Sequence, residues 1–159
     1  MRESLQEREQ VDDGSVEMGV EKNKKNEDFD NLIIESLWDS VPDLLAVYRF
    51  GSFGTEGAHL QSDIDIAFLA ETSPSHVMRW RLAQKMAIRL GRDVDLVDLA
   101  QSTTVFRMQV IAHGRRLWCA DEVRVETFED YIFSSYARLN EERRGILQDI
   151  RERGNVYGG

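Results

Sequence analysis

Asp63 and Asp65 flank a single isoleucine, and a Gly51-Ser52 pair precedes them by ten residues, Phe53 through Ser62. Each pair suggests a chemistry. A glycine lets the chain turn tightly where a side chain would obstruct a ligand. Successive backbone N–H groups in such a turn make a concavity that attracts anions such as phosphate, and Ser52 adds a hydroxyl there. Two carboxylates one residue apart on a strand point to the same face. They repel each other unless a cation lies between them, and their hard oxygens suit Mg²⁺ or Mn²⁺. Asp95, in the later apolar run Val94-Asp95-Leu96-Val97-Asp98-Leu99, adds a third carboxylate if its strand pairs beside the first. Three carboxylates can hold two divalent ions about 3.5–4 Å apart, which activates an attacking oxygen and steadies a leaving one in nucleotidyl transfer. Singly, a Gly-Ser or an Asp-x-Asp marks many turns and solvated strands; the joint spacing carries the reading.

Strands must hold these residues. Leu44 to Phe50 reads as a strand running into Gly51, and Asp63 to Leu69 as a second, with Ile64, Ile66 and Phe68 alternating against Asp63, Asp65 and Ala67. Asp93 to Leu99 is a third and Arg115 to Trp118 a short fourth. A helix is expected from Glu27 to Ser40, with Asp28 or Asn26 as its cap, Phe29, Leu32, Ile33 and Leu37 at helical spacing, and Val41-Pro42 as its stop. Pro74-Ser75 opens a second helix to about Leu90, with Trp80, Ala83, Ala87 and Leu90 on one face and Gly91 as its stop. Ser102 or Thr103 caps a third, to about His113. A long fourth runs from Asp121 to about Arg153, with Phe128, Ile132, Leu139, Ile146 and Ile150 along one side. The order α-β-β-α-β-α-β-α predicts an α/β (α+β) fold, one mixed sheet of three to four strands flanked by helices. Residues 1–26 are polar and charged and read as a disordered extension, 27–153 as one domain and 154–159 as a flexible tail.

The net charge of -9 is uneven: residues 1–30 carry ten acids and five bases, residues 31–120 ten and nine, and residues 121–159 nine and six. The segment bearing the candidate site is thus nearly neutral, and no broad basic stripe of a nucleic-acid binder is present. An acidic chain can still bind ATP where Mg²⁺ and local cations offset the phosphates. With one cysteine, Cys119, no internal disulfide or Cys/His metal cluster can form, which points to a reducing, cytoplasmic setting. Cys119 itself reads as a small apolar filler. No apolar run reaches the roughly 20 residues of a membrane span, and the N-terminus lacks the apolar core of a secretory signal.

Gly-Ser, ten residues, Asp-x-Asp and a later acidic strand resemble the signature of the polymerase-beta-like nucleotidyltransferases, over roughly Leu44 to Trp118. The chain is most similar to the minimal nucleotidyltransferases, and among these to the MNT antitoxins of HEPN–MNT toxin–antitoxin pairs. The resemblance implies that Gly51 and Ser52 hold the triphosphate of ATP. Asp63 and Asp65 would bind both Mg²⁺ ions, and Asp95 would complete the second site and help deprotonate the attacking hydroxyl. It implies a Mg²⁺-dependent adenylyltransferase, a type VII-like antitoxin that transfers AMP to a tyrosine hydroxyl of a cognate HEPN RNase toxin in a hetero-oligomer. No nucleic acid or membrane partner is implied. Two other readings stay open: an antitoxin acting by occlusion alone, and an enzyme modifying a small hydroxylated molecule such as an aminoglycoside. Only one helix follows the fourth strand, which is too little for an elaborate small-molecule pocket.

Other residues take plainer readings. Arg49 is expected in a surface ion pair, with phosphate contact as the alternative. Thr55 and Glu56 read as solvated loop residues, and His59, His76 and His113 as surface histidines without ligand spacing. Asp98 is expected to face away from Asp95. Arg79, Arg81, Lys85 and Arg89 make a solvated basic face. Trp80 and Trp118 are expected in the core.

Overall fold

The computed structural model describes residues 14–52 and 62–154. Its elements are α1 (Gly14–Trp38), β1 (Leu44–Phe50), β2 (Ile64–Ala70), α2 (His76–Leu90), β3 (Val94–Asp98), a 3-10 turn (Leu99–Gln101), α3 (Thr104–His113), β4 (Arg115–Cys119) and α4 (Glu122–Arg153). The strands form one mixed sheet in the order β3-β2-β1-β4. β1 pairs antiparallel with both β2 and β4, while β2 and β3 run parallel across the α2 crossover.

Alternation along the strands makes two cores. One face carries Val47, Ile64, Ile66, Phe68 and Leu96, sealed by Ile33 and Leu37 of α1 and by Leu82, Ala83, Met86 and Leu90 of α2. The other carries Ala46, Tyr48, Ala67 and Leu69, covered by Val110 of α3 and Val125 of α4. The helix ends follow local chemistry. The Ser75 hydroxyl accepts from the Met78 N–H, and Gly91 closes α2 in the left-handed region. Thr103, rather than Ser102, caps α3 by accepting from the Phe106 N–H. The Cys119 thiol packs half-buried against the second core and donates to Glu122, which, ahead of burial, pushes its pKa up.

Four expectations need correction. Helix α1 starts at Gly14, not near Glu27, so neither Asp28 nor Asn26 caps it and part of the expected extension is helical. Residues 19–25 are exposed; Glu21 and Lys25, spaced i to i+4, and good helix formers support a helix there without an apolar stripe. Residues 1–13 and 155–159 lie outside the described residues. Trp80 is 64% exposed, because the buried stripe of α2 is Leu82, Ala83, Met86 and Leu90 instead. Trp118 is partly buried at the core's margin, edge-on to Trp38 at 5.4 Å. Arg49 is buried, not at the surface. Along α4 only Val125 and Ile132 are buried; residues 141–153 are exposed throughout, so Ile146 and Ile150 stay largely open to solvent rather than in the core.

Candidate functional site

The site forms where β1 leaves the sheet and β2 and β3 enter it. Phe50, the last residue of β1, is the register partner of Asp65 on β2, and Asp65 is in turn the register partner of Asp95 on β3. Neighbouring strands lie about 4.8 Å apart and residues directly opposite share a face. Asp65 and Asp95 therefore stand side by side on the α3/α4 face of the sheet. Asp63, just ahead of β2, is exposed on the same phase of the alternation. Asp98 falls on the opposite phase; it is buried, and its Oδ1 caps the 3-10 turn by accepting from the Ala100 N–H at 2.9 Å, while its Oδ2 has no hydrogen-bond partner among the described residues.

Gly51 abuts this carboxylate set. Its φ of 75° lies in the left-handed region, and a Cβ there would sit 2.0 Å from Asp65 Oδ2 and 2.9 Å from its Cγ. Only glycine brings the backbone this close to the carboxylate. Ser52 follows, exposed, at the lip of the turn. The Gly-Ser turn and the first aspartates are thus cross-strand neighbours, although ten residues separate them along the chain.

Electrostatics ties the three carboxylates together. Burial, first, then the charges of Asp95 and Asp63 push the Asp65 carboxyl above the usual carboxylate range. Like charges this close disfavour full ionisation unless a cation offsets them. Oxygen-only donors of this kind fit a hard divalent cation. Among the described residues no three His, Cys, Asp or Glu side chains converge into a closed metal cage; the aspartates form an open set, side by side.

Behind the turn, on the other face, Arg49 forms a buried ion pair with Asp30 of α1. The sequence carries a signal for this pair. Asp30 precedes Ile33 and Leu37 by three and seven residues, so it lies on the core face of α1, and Arg49 interrupts the apolar strand Leu44–Phe50. Two opposite charges at core positions predict each other. On the α4 side, the buried Tyr48 hydroxyl donates to Glu129 at 2.7 Å, and Arg116 completes a network with Glu129 and Glu122. His76 is exposed, with its Nδ1 2.8 Å from Arg79, and His113 is exposed too. Arg89 reaches Glu35 at 2.7 Å. Thr55, Glu56 and His59 lie outside the described residues.

The chain and its fold are similar to known proteins. Residues 31–123 match the family described as polymerase beta, nucleotidyltransferase. The chain is 42% identical to the protein adenylyltransferase MntA of Shewanella oneidensis over 121 residues, 76% of this chain and 86% of the relative. A crystal structure of a toxin–antitoxin with AMP-PNP matches with a TM-score of 0.68 at 42% identity, covering 77% of this chain and 98% of that one. A tri-AMPylated Shewanella oneidensis HEPN toxin in complex with its MNT antitoxin matches with a TM-score of 0.65 at 41% identity, over 77% and 96%.

Proposed function

Because the chain belongs to the polymerase beta nucleotidyltransferase family, we propose that it transfers AMP from ATP to a tyrosine hydroxyl of a cognate HEPN-class RNase toxin. It would thereby neutralise that toxin as a type VII-like antitoxin. The observation that carries the reading is the approach of the Gly51 backbone to Asp65, with Asp95 in register beside it. An anion cradle next to three mutually repelling carboxylates suits a triphosphate with its divalent cations. Asp63, Asp65 and Asp95 would hold Mg²⁺, two ions in all, which would neutralise phosphate charge and acidify the attacking hydroxyl when bound.

The chain's own residues do the rest. Gly51 and Ser52 orient the triphosphate through backbone N–H groups and the serine hydroxyl. The tyrosine oxygen attacks the α-phosphorus, the bond to the bridging oxygen breaks, and pyrophosphate leaves with that electron pair. Asp95 takes the phenolic proton. The relatives' complexes with a toxin support a protein acceptor, and so does α4. Its residues 141–153 expose Ile146, Leu147 and Ile150, at 60%, 56% and 49%, apolar surface that a protein partner would cover. No helix among the described residues is long and apolar enough to cross a membrane.

The test is incubation of the full chain with labelled ATP, Mg²⁺ and the purified partner toxin. Label on the toxin, lost when its acceptor tyrosine is replaced by phenylalanine, is the expected result. ATP binding without labelled toxin would sink the catalytic claim. The exposed α4 surface also suits an antitoxin that merely occludes its partner, and that reading predicts that Asp63→Asn/Asp65→Asn still neutralises toxicity fully. Transfer to an aminoglycoside with no protein present would favour a small-molecule acceptor.

A further inference from the structure

The position of the Gly-Ser turn depends on where β1 ends, and the residues that fix that end lie on the opposite face of the sheet. Asp30 and Arg49 are 6% and 8% exposed, and their charged groups pair directly. Arg115 of β4, the register partner of Arg49, approaches the second oxygen of Asp30 at 3.8 Å. One carboxylate of α1 therefore ties together two adjacent strands, at the end of the sheet where β1 runs into Gly51. From the α3 side, Gly114 closes against the same point: a Cβ there would lie 3.1 Å from the Arg49 carbonyl oxygen.

A buried ion pair is a weak source of stability, because desolvation offsets its attraction and apolar residues of similar volume often serve as well. Burial pushes Asp30 up and Arg49 down, with mutual attraction opposing both shifts. What the pair supplies that apolar packing does not is direction, since a guanidinium fork meets a carboxylate in few orientations. Direction matters here because two residues further on there is no slack: the Gly51 backbone already touches the space of Asp65.

We propose that Asp30 is a positioning residue for nucleotidyl transfer: through Arg49 it holds the last residues of β1 so that the Gly51-Ser52 backbone stands at the separation from Asp65 that the triphosphate requires. The inference rests on the nucleotidyltransferase reading of the site.

Four full-length proteins test it: wild type, Asp30→Asn, Asp30→Glu, and Asp30→Leu/Arg49→Met. Each is titrated with AMP-PNP in Mg²⁺ by calorimetry and melted in parallel. Binding by wild type checks the underlying reading; if wild type does not bind AMP-PNP, that reading fails and the inference falls with it. The apolar double variant is expected to melt within a few degrees of wild type, yet to bind about tenfold or more weakly, the scale seen when supporting residues behind a site are lost. Asp30→Glu, which keeps the charged pair, is expected to bind within about threefold of wild type on the same scale. Asp30→Asn leaves the Arg49 charge buried without its counter-charge, so where it does not fold the other two variants decide. A double variant that binds as tightly as wild type would overturn the proposal by reducing the pair to packing, and one that does not fold would overturn it by making the pair structural.

Discussion

On the face of the sheet covered by α1 and α2, Val47, Ile64, Ile66 and Phe68 are buried completely, and the apolar run continues to the end of β2 where the site lies. On the face covered by α3 and α4, Ala46, Tyr48, Ala67 and Leu69 are buried nearly as well in the middle. There the run stops short, and the next position on that phase is Asp65, beside Asp95. One β2 segment, Ile64-Asp65-Ile66, serves both faces. The difference teaches that the site is a core face left unfinished: the strands are held from behind, so the front can carry repelling charges at its rim. Substitutions on the two faces of β2 should therefore fail in opposite ways.

The largest contrast is expected between Asp65→Asn and Phe68→Ala. Asp65→Asn should lower AMP transfer about 10³-fold, roughly 4 kcal/mol of transition-state stabilisation, and leave the urea midpoint unchanged or higher. Phe68→Ala, on the sealed face, should cost about 3–5 kcal/mol of stability in urea; an unfolded Asp65→Asn or a fully stable Phe68→Ala would break the contrast. Gly51→Ala bridges the two. A left-handed residue with a Cβ costs about 1–2 kcal/mol, and its clash with Asp65 should remove AMP-PNP binding with only that modest loss of stability.

Acidity sharpens the comparison further. Asp65 holds its proton to higher pH in the folded chain than in the unfolded one, so its contribution to stability is present in acid and is lost as pH rises through the raised folded value. In chelated buffer Asp65→Asn should melt above wild type at neutral pH, and the gap should close as pH falls into the carboxylate range. A gap independent of pH would remove the like-charge account of the site. The smallest effect is expected from Ile146→Ala/Ile150→Ala, within about 0.5 kcal/mol of wild type in isolation, because both side chains are largely exposed. In pull-downs the same variant should retain less partner toxin; undiminished capture would assign the partner to another surface.

What could be read from the sequence was what is local. The Gly51 turn, the shared phase of Asp63 and Asp65, and the caps at Ser75, Thr103 and Gly91 all follow from spacing within a few residues. Asp95 could be proposed but not positioned, because its place depends on β3 lying parallel beside β2, a matter of topology. The Asp30–Arg49 pair joins residues on different elements, and only two charges at core positions betray it. Trp80 lies off the buried stripe because the periodicity of α2 admits two overlapping stripes, and burial beneath α1 chooses between them. The upstream part of α1 has no apolar period to read, so propensity alone forms it. The outer half of α4 carries an apolar stripe that looks like core until the sheet proves too short to cover it.

The pairing of Phe50 with Asp65 also bears on how the chain acquires its chemistry over time. Pairing β1 with β2 brings the Gly51-Ser52 turn against Asp65 across a short stretch of chain, and such local closures cost little entropy. Asp95 arrives only when the chain has passed through α2 and returned to lay β3 parallel to β2, a slower, less local event. The Gly-Ser turn thus meets Asp65 across a shorter chain closure than the one that adds Asp95. The proposed transfer therefore depends on the sheet's parallel edge: without β3 beside β2, Asp65 has no neighbouring Asp95.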